Sequence, residues 1–404
     1  MRPAASPQTD PLPEGARSRL AARNSLAGFF LSGLLMAFLG AILPAWGHHL
    51  ESDHSRIGFY FLSLNAGLWV SVPVSQQLLR RRSLRFLLIL GTSISAAAFF
   101  YLAAVGPPRE DAWRLAGAGF CGLGAGLINA GVFVTISPAY RRDPASTVNL
   151  CGLLFGLGSL TSSLLVAGTY YIYTTGAILT FLGVIPGYMI AYYATSRWVP
   201  EEIPADPPTG KRMEELRSPA AILLALLLFF QFGNEWAIAG WLPLFLVQQL
   251  GVSPATALLL LSLYWLALTM GRLIMQAVLP QVRHGRLLLG SVLAACFGCF
   301  SLSLTDSLAG ASMSLLLIGG GFAAIYPLVV EKIGHRFPYY HPGVFNGMFS
   351  LAVTGGLLAA ASLGVLADWV GLWVIMGLPV AGSLAVLVLL LLLWLEARLN
   401  PQGS

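Results

Sequence analysis

Charges and prolines cut this chain into twelve apolar runs, most of them near the length at which a helix crosses a bilayer. The runs are 26–46, 57–79, 86–105, 112–136, 146–168, 174–195, 219–247, 254–279, 286–305, 309–331, 343–367 and 370–396. A span needs about 20 apolar residues to cross about 30 Å of hydrocarbon. Every backbone N–H and C=O must then be satisfied within the segment, which selects the α-helix. Only 10% of the residues are charged and 56% are apolar. A soluble domain carries about 25% charged residues. The pattern therefore predicts an all-α membrane protein with twelve transmembrane helices. It excludes a soluble enzyme, a nucleic-acid binder and a disulfide-stapled secreted domain.

The basic residues set a direction. With the N-terminus inside, 20 of the 23 Lys and Arg residues fall on the inner side, and only Arg56, Arg109 and Arg114 fall outside. Cytoplasmic loops carry such an excess, so both termini are expected in the cytoplasm, in a bacterial inner membrane. The net charge of +6 follows from these loops and implies no nucleic-acid partner. The expected divisions are a disordered cytoplasmic tail (1–25), a six-helix bundle (26–195), a charged, proline-bearing cytoplasmic linker (196–218), a second six-helix bundle (219–397) and a short tail (398–404). The bilayer is the expected partner and the chain is expected to act as a monomer.

The two halves repeat each other. Phe29-Phe30-x-x-Gly33 and Gly40-x-x-Leu43-Pro44 recur as Phe229-Phe230-x-x-Gly233 and Gly240-x-Leu242-Pro243. Leu62-Ser63-Leu64 recurs as Leu261-Ser262-Leu263, and Gly122, Gly124 and Gly126 recur as Gly319, Gly320 and Gly321. Asn149-x8-Gly158 recurs as Asn346-x8-Gly355. Matches in the same order point to two pseudo-symmetric bundles related by an axis along the membrane normal, with a substrate site between them at the midplane. The two glycine clusters are expected at surfaces where helices approach closely and slide.

Polar groups inside a bilayer are costly and mark function. Glu235 is the only carboxylate placed well inside a span. Gln231, Asn234, Glu235 and Ile238 stand at i, i+3, i+4 and i+7, on one helical face. A structural hydrogen-bond cluster is the competing explanation for this stripe. Asn65, Asn129, Asn346, Tyr264, Trp265 and Tyr326 complete the candidate substrate-binding set. Amides donate and accept, which suits a polyhydroxylated ligand. Arg272, after Gly271, is expected as a gate or loop-packing residue at the inner end of its helix, and Arg80 and Arg81 belong to the basic inner loop. The four cysteines lie in apolar runs without metal-ligand spacing, so no metal site is expected.

These residues bring a family into view. The chain resembles the major facilitator superfamily across all twelve helices, which implies that fold and alternating access. Gly233-Asn234-Glu235-x4-Gly240-Trp241-Leu242, then Ser262-Leu263-Tyr264-Trp265 and Gly271-Arg272, are similar to helices 7 and 8 of the fucose–galactose–glucose symporter family and its sodium-dependent glucose-transporter relatives. Asn149-Leu150 with Gly156-x-Gly158 is similar to that family's helix 5. One departure stands out. The superfamily's inner loop carries an Asp before Gly-Arg-Arg, whereas this chain has Gln76-Gln77-Leu78-Leu79-Arg80-Arg81-Arg82.

The expectation is a secondary transporter, not an enzyme, moving a small neutral polar solute of the hexose type. It needs no cofactor, and the coupling ion, if there is one, is H+ or Na+. Glu235 is the coupling candidate. A multidrug or amphipath exporter of the same fold is the main rival and would have an apolar cavity with Glu235 as its cation or proton site. A nontransporting membrane sensor or scaffold is the rival from another class.

Overall fold

The computed structural model describes residues 14–50, 53–107, 110–196, 219–279, 281–336 and 342–399, with side chains described except at 14–25, 137–142, 144 and 335–350. Residues 1–13 of the expected tail, 197–218 of the linker and 400–404 lie outside the described residues. Regular structure among the described residues is helical throughout. The long helices are α1 (Glu14–Ile42), α2 (His54–Arg81), α3 (Leu84–Ala104), α4 (Asp111–Arg142), α5 (Pro144–Thr169) and α6 (Thr175–Thr195) in the first half. In the second half they are α7 (Pro219–Leu250), α8 (Pro254–Val278), α9 (His284–Leu304), α10 (Leu308–Arg336), α11 (Pro342–Val370) and α12 (Val374–Leu399). A short 3-10 turn, His48–Leu50, joins α1 to α2.

Eleven of the helices are long and apolar enough to cross a membrane, and α1 contributes the shorter apolar stretch Leu26–Ile42. The chain is a multi-pass membrane protein. Helix starts follow from capping side chains: Ser83 accepts from Phe86 N, Asp143 from Ser146 N and Ser253 from Thr256 N. Pro144 and Pro254 follow two of these caps, where a missing N–H costs nothing. One boundary differs from expectation. Helix α1 starts at Glu14, so residues 14–25 extend the first span as helix. Alanine, leucine and arginine dominate that stretch and are strong helix formers.

The repeat is visible in the packing. In the first half α1 packs on α5, α2 on α4, and α3 on both α4 and α6. Six helices later α7 packs on α11, α8 on α10, and α9 on both α10 and α12. Across the seam α2 meets α11, α5 meets α8, and α1 meets α7.

The glycine clusters sit inside the halves, not on this seam. A Cβ on Gly124 would stand 3.0 Å from Gly91 O of α3, and one on Gly321 would stand 2.8 Å from Ser291 O of α9. At Gly122, Gly124, Gly319 and Gly321 a neighbouring helix backbone approaches closely, whereas a Cβ on Gly320 would meet nothing within 4 Å. The seam has its own glycine contact. A Cβ on Gly364 of α11 would stand 2.5 Å from His54 O and 3.0 Å from Gly58 N of α2.

Candidate functional site

A narrow cavity of about 40 Å³ lies between the halves. Phe29 and Met36 of α1, Asn129, Phe133 and Ile136 of α4, and Val148, Cys151, Gly152 and Phe155 of α5 form one wall. Phe232, Glu235 and Trp236 of α7, Trp265 and Arg272 of α8, Tyr326 of α10 and Val353 of α11 form the other. Helical spacing explains each contribution. On α5 the lining residues stand at i, i+3, i+4 and i+7, and on α7 at i, i+3 and i+4, so each set shares one face.

Aromatic rings dominate these walls. Phe155, Trp236 and Trp265 form a cluster with centroids 6.2–6.4 Å apart, each pair edge to face. Phe29 meets Phe133 at 5.7 Å and Phe232 meets Tyr326 at 5.1 Å. Such edge-to-face pairs hold their rings in fixed orientations, which gives a preshaped apolar slot.

A few polar groups interrupt it. Glu235 and Arg272 are both buried, so one acidic and one basic side chain line the same cavity. Glu235 Oε1 accepts a hydrogen bond from Gln231 Nε2 at 3.0 Å. Arg272 Nη1 donates to the carbonyl oxygen of Gly152 across the seam at 2.5 Å. Three buried atoms of the lining residues have no partner: Arg272 Nε, Trp265 Nε1 and Asn129 Oδ1. A buried polar group left unsatisfied costs about 1–3 kcal/mol.

The residues singled out in the sequence fall in different places. Asn129, Glu235, Trp265 and Tyr326 line the cavity. Gln231 and Tyr264 stand behind Glu235: Gln231 bonds its carboxylate, and the Tyr264 hydroxyl donates to its backbone oxygen at 3.5 Å. Asn65 and Asn234 are buried outside the lining. Asn234 packs its amide against Gly382 of α12, on the side of α7 turned from the cavity. The side chain of Asn346 lies outside the described residues. Arg80 and Arg81 are exposed in the last turn of α2.

Arg272, expected as a gate or loop-packing residue at the inner end of its helix, lies on α8 about two turns before its end at Val278, and its side chain is buried in the cavity wall. Trp265, Thr269 and Arg272 stand at i, i+4 and i+7 on α8, so the sequence already put the arginine on the tryptophan's face. Trp236 was missed because attention to the polar stripe passed over the neighbour of Glu235. Phe155 and Gly152 were missed because neither is polar.

Both ends of the seam are tied. At the end where α2 starts, the Asp368 carboxylate of α11 accepts from His54 N at 2.9 Å and Ser55 N at 2.8 Å. Ser55 Oγ donates to it at 2.5 Å, and His54 Nδ1 lies 2.9 Å away. At the opposite end α5 is tied to α8. Asn149 Nδ2 donates to Arg272 O and to Gln276 Oε1, both at 2.8 Å, and Gln276 Nε2 donates to Ser146 Oγ. The cavity lies between these two clasps.

Comparison with known proteins agrees with this architecture. The family described as the Major Facilitator Superfamily matches residues 25–360. An uncharacterised MFS-type transporter of Yersinia pestis is 20% identical over 351 residues, 86% of this chain and 89% of that protein. The 3-(3-hydroxy-phenyl)propionate transporter of Escherichia coli (strain K12) is 28% identical over 253 residues, 61% of this chain and 52% of that protein. Among solved structures, the human organic anion transporter MFSD10 (TETRAN) aligns with a TM-score of 0.70 at 16% identity, over 95% of this chain and all of that one. The transporter FucP, in its outward conformation, aligns with a TM-score of 0.63 at 14% identity, over 92% of this chain and 98% of that one.

Proposed function

The chain belongs to the Major Facilitator Superfamily, and from that premise we propose that it is a secondary transporter of amphipathic organic anions, of the aryl- or alkyl-carboxylate class. The observation that carries the reading is Arg272, buried in a largely aromatic cavity with an unpartnered Nε donor. A carboxylate accepts two parallel bonds from a guanidinium, and an arginine is always charged. Trp265 Nε1, on another lining residue, is a second donor without a partner. The apolar body of the solute packs among the rings of Phe155, Trp236 and Trp265. The E. coli relative is named for such a solute, an aryl-substituted propionate.

Charge balance gives Glu235 its role. Glu235 and Arg272 offset each other in the empty cavity. An arriving carboxylate adds a second negative charge in a site of low dielectric, where like charges repel strongly. A proton taken up by Glu235 restores the balance, so the solute and H+ travel together. The basic-residue bias puts the end tied by α5 and α8 on the cytoplasmic side.

The hexose reading of the sequence rested on amides. Of Asn65, Asn129, Gln231 and Asn234 only Asn129 lines the cavity, while Asn65 is buried elsewhere on α2, Asn234 packs toward α12 and Gln231 bonds Glu235. The apolar walls suit an amphipath better than a polyol. Purified protein in proteoliposomes, offered labelled 3-phenylpropionate, glucose or fucose under imposed H+ or Na+ gradients, tests this. Uptake of the arylpropionate driven by a proton gradient is expected. Uptake of a hexose without uptake of the carboxylate would overturn the assignment.

A further inference from the structure

Arg272 does two things at once. Its side chain lines the cavity, and the same guanidinium reaches across the seam to the carbonyl oxygen of Gly152 on α5. That contact is close. A Cβ on Gly152 would stand 2.8 Å from Arg272 Nη1, so the lack of a side chain at 152 lets the guanidinium lie this close to α5. Its backbone oxygen also receives Asn149 Nδ2 from α5. The residue thus contributes both a side-chain and a main-chain bond to the clasp that ties α5 to α8.

Resting on the reading that the solute is a carboxylate, we propose that Arg272 is the release element of this end: an anion in the cavity draws the guanidinium off Gly152 and loosens α5 from α8. A carboxylate is a stronger acceptor than a neutral carbonyl, because charge-assisted bonds are roughly twice as strong as neutral ones. The geometry favours the exchange. Nε already lacks a partner, and a carboxylate engages a guanidinium through two of its nitrogens at once. Swinging the guanidinium toward the ligand to make those two bonds lengthens the single Nη1 bond to Gly152 O. What remains at the clasp is Asn149 and the Gln276–Ser146 pair, both polar and both near the α5 start. The site is then coupled to its own exit without a relay through other residues.

The test is a distance measurement across this end by paired nitroxides at Leu150 of α5 and Gln281 just past α8, with partly exposed Cys296 replaced by alanine. Binding is followed in parallel by quenching of cavity tryptophan fluorescence with 3-phenylpropionate. In the parent, a single short distance should give way to a longer one as the carboxylate saturates. Without any ligand, Arg272→Gln should already populate the longer distance, and carboxylate binding should weaken by about tenfold or more. Arg272→Lys carries the same ligand-free test if the glutamine variant does not purify, since a shorter ammonium stem cannot keep the fork contact with Gly152. Binding in the parent with no change of distance would overturn the release role while leaving the transport reading intact. Ligand-free variants that keep the short distance would overturn it too. No quenching by the carboxylate in the parent would instead remove the solute class on which the inference rests, and the inference with it.

Discussion

Asp368→Asn should open the α2–α11 end. The native carboxylate receives two backbone N–H donors, the Ser55 hydroxyl and the His54 ring, two on each oxygen. Asparagine keeps one oxygen and turns an NH2 toward the other pair, where the backbone N–H loses its acceptor while the Ser55 hydroxyl or the His54 ring nitrogen can accept instead. One bond to a charged acceptor is then lost, worth about 1.5–3 kcal/mol. The side chain is 24% exposed, so solvent recovers part of this, and a net of about 1.5 kcal/mol is a fair expectation. That is about a tenfold shift of the closed–open equilibrium at this end, because 1.4 kcal/mol is a factor of ten. Nitroxides at Leu50 and Trp373, both well exposed on this end, read the populations directly. His54→Ala removes one of the four contacts and should shift them several-fold less. An unchanged distribution in Asp368→Asn, with the variant folded, would show that these bonds are ornament and that the apolar seam alone closes the end.

Three further outcomes are expected. Glu235→Gln keeps the shape of the side chain and cannot titrate, so counterflow exchange of the solute should persist while proton-driven accumulation is lost; concentrative uptake equal to the parent's would remove Glu235 from coupling. Asn129→Ala and Trp265→Ala should weaken binding by about three- to tenfold and more than tenfold respectively, through a lost polar partner and a lost wall, whereas Asn234→Ala, packed toward α12, should stay within about twofold when titrated by fluorescence. Gly364→Val should place a side chain against His54 O and hold the α2–α11 end apart, so transport should fall by more than about tenfold while the melting temperature changes little; normal transport would mean that the seam has slack.

Much of the architecture was legible because bilayers impose so few choices. Charges and prolines located every helix, and the alternation of basic residues checked their number. The exception at α1 is instructive: hydropathy marks where a helix enters lipid, and says nothing of where a helix built of good formers begins. The repeat was legible in glycines, but their meaning was not. Gly122 and Gly319 look alike in the sequence whether they face a seam or a neighbour in the same half, and only the packing partner distinguishes these. The site was legible by half for the same reason. The stripe of Gln231, Asn234 and Glu235 spans an arc of α7 wide enough that Glu235 faces the cavity and Asn234 faces α12. A search for costly polar groups found the acid and passed over Trp236 and Phe155, which line the cavity, since apolar residues in an apolar helix carry no signal.

The two clasps are chemically alike and mechanically different. The carboxylate clasp of Asp368 shares no residue with the cavity. The α5–α8 clasp shares Arg272 and Gly152 with it. On α8 the cavity wall at Trp265, the close contact of Thr269 with Gly156, the charge of Arg272 and the clasp residue Gln276 follow at successive turns of one face. A rigid helix therefore carries the state of the cavity directly to that end. Affinity measured on the whole population is the intrinsic affinity reduced by the fraction of molecules competent to bind. A change at Asp368 alters only that fraction, so it should move apparent affinity and conformational balance together and leave the intrinsic affinity of each conformation alone. A change at Arg272 alters both factors, and the two effects need not keep proportion. Plotting apparent affinity against open fraction for variants at both positions separates these cases: Asp368 variants should fall on one line, and Arg272 variants should leave it.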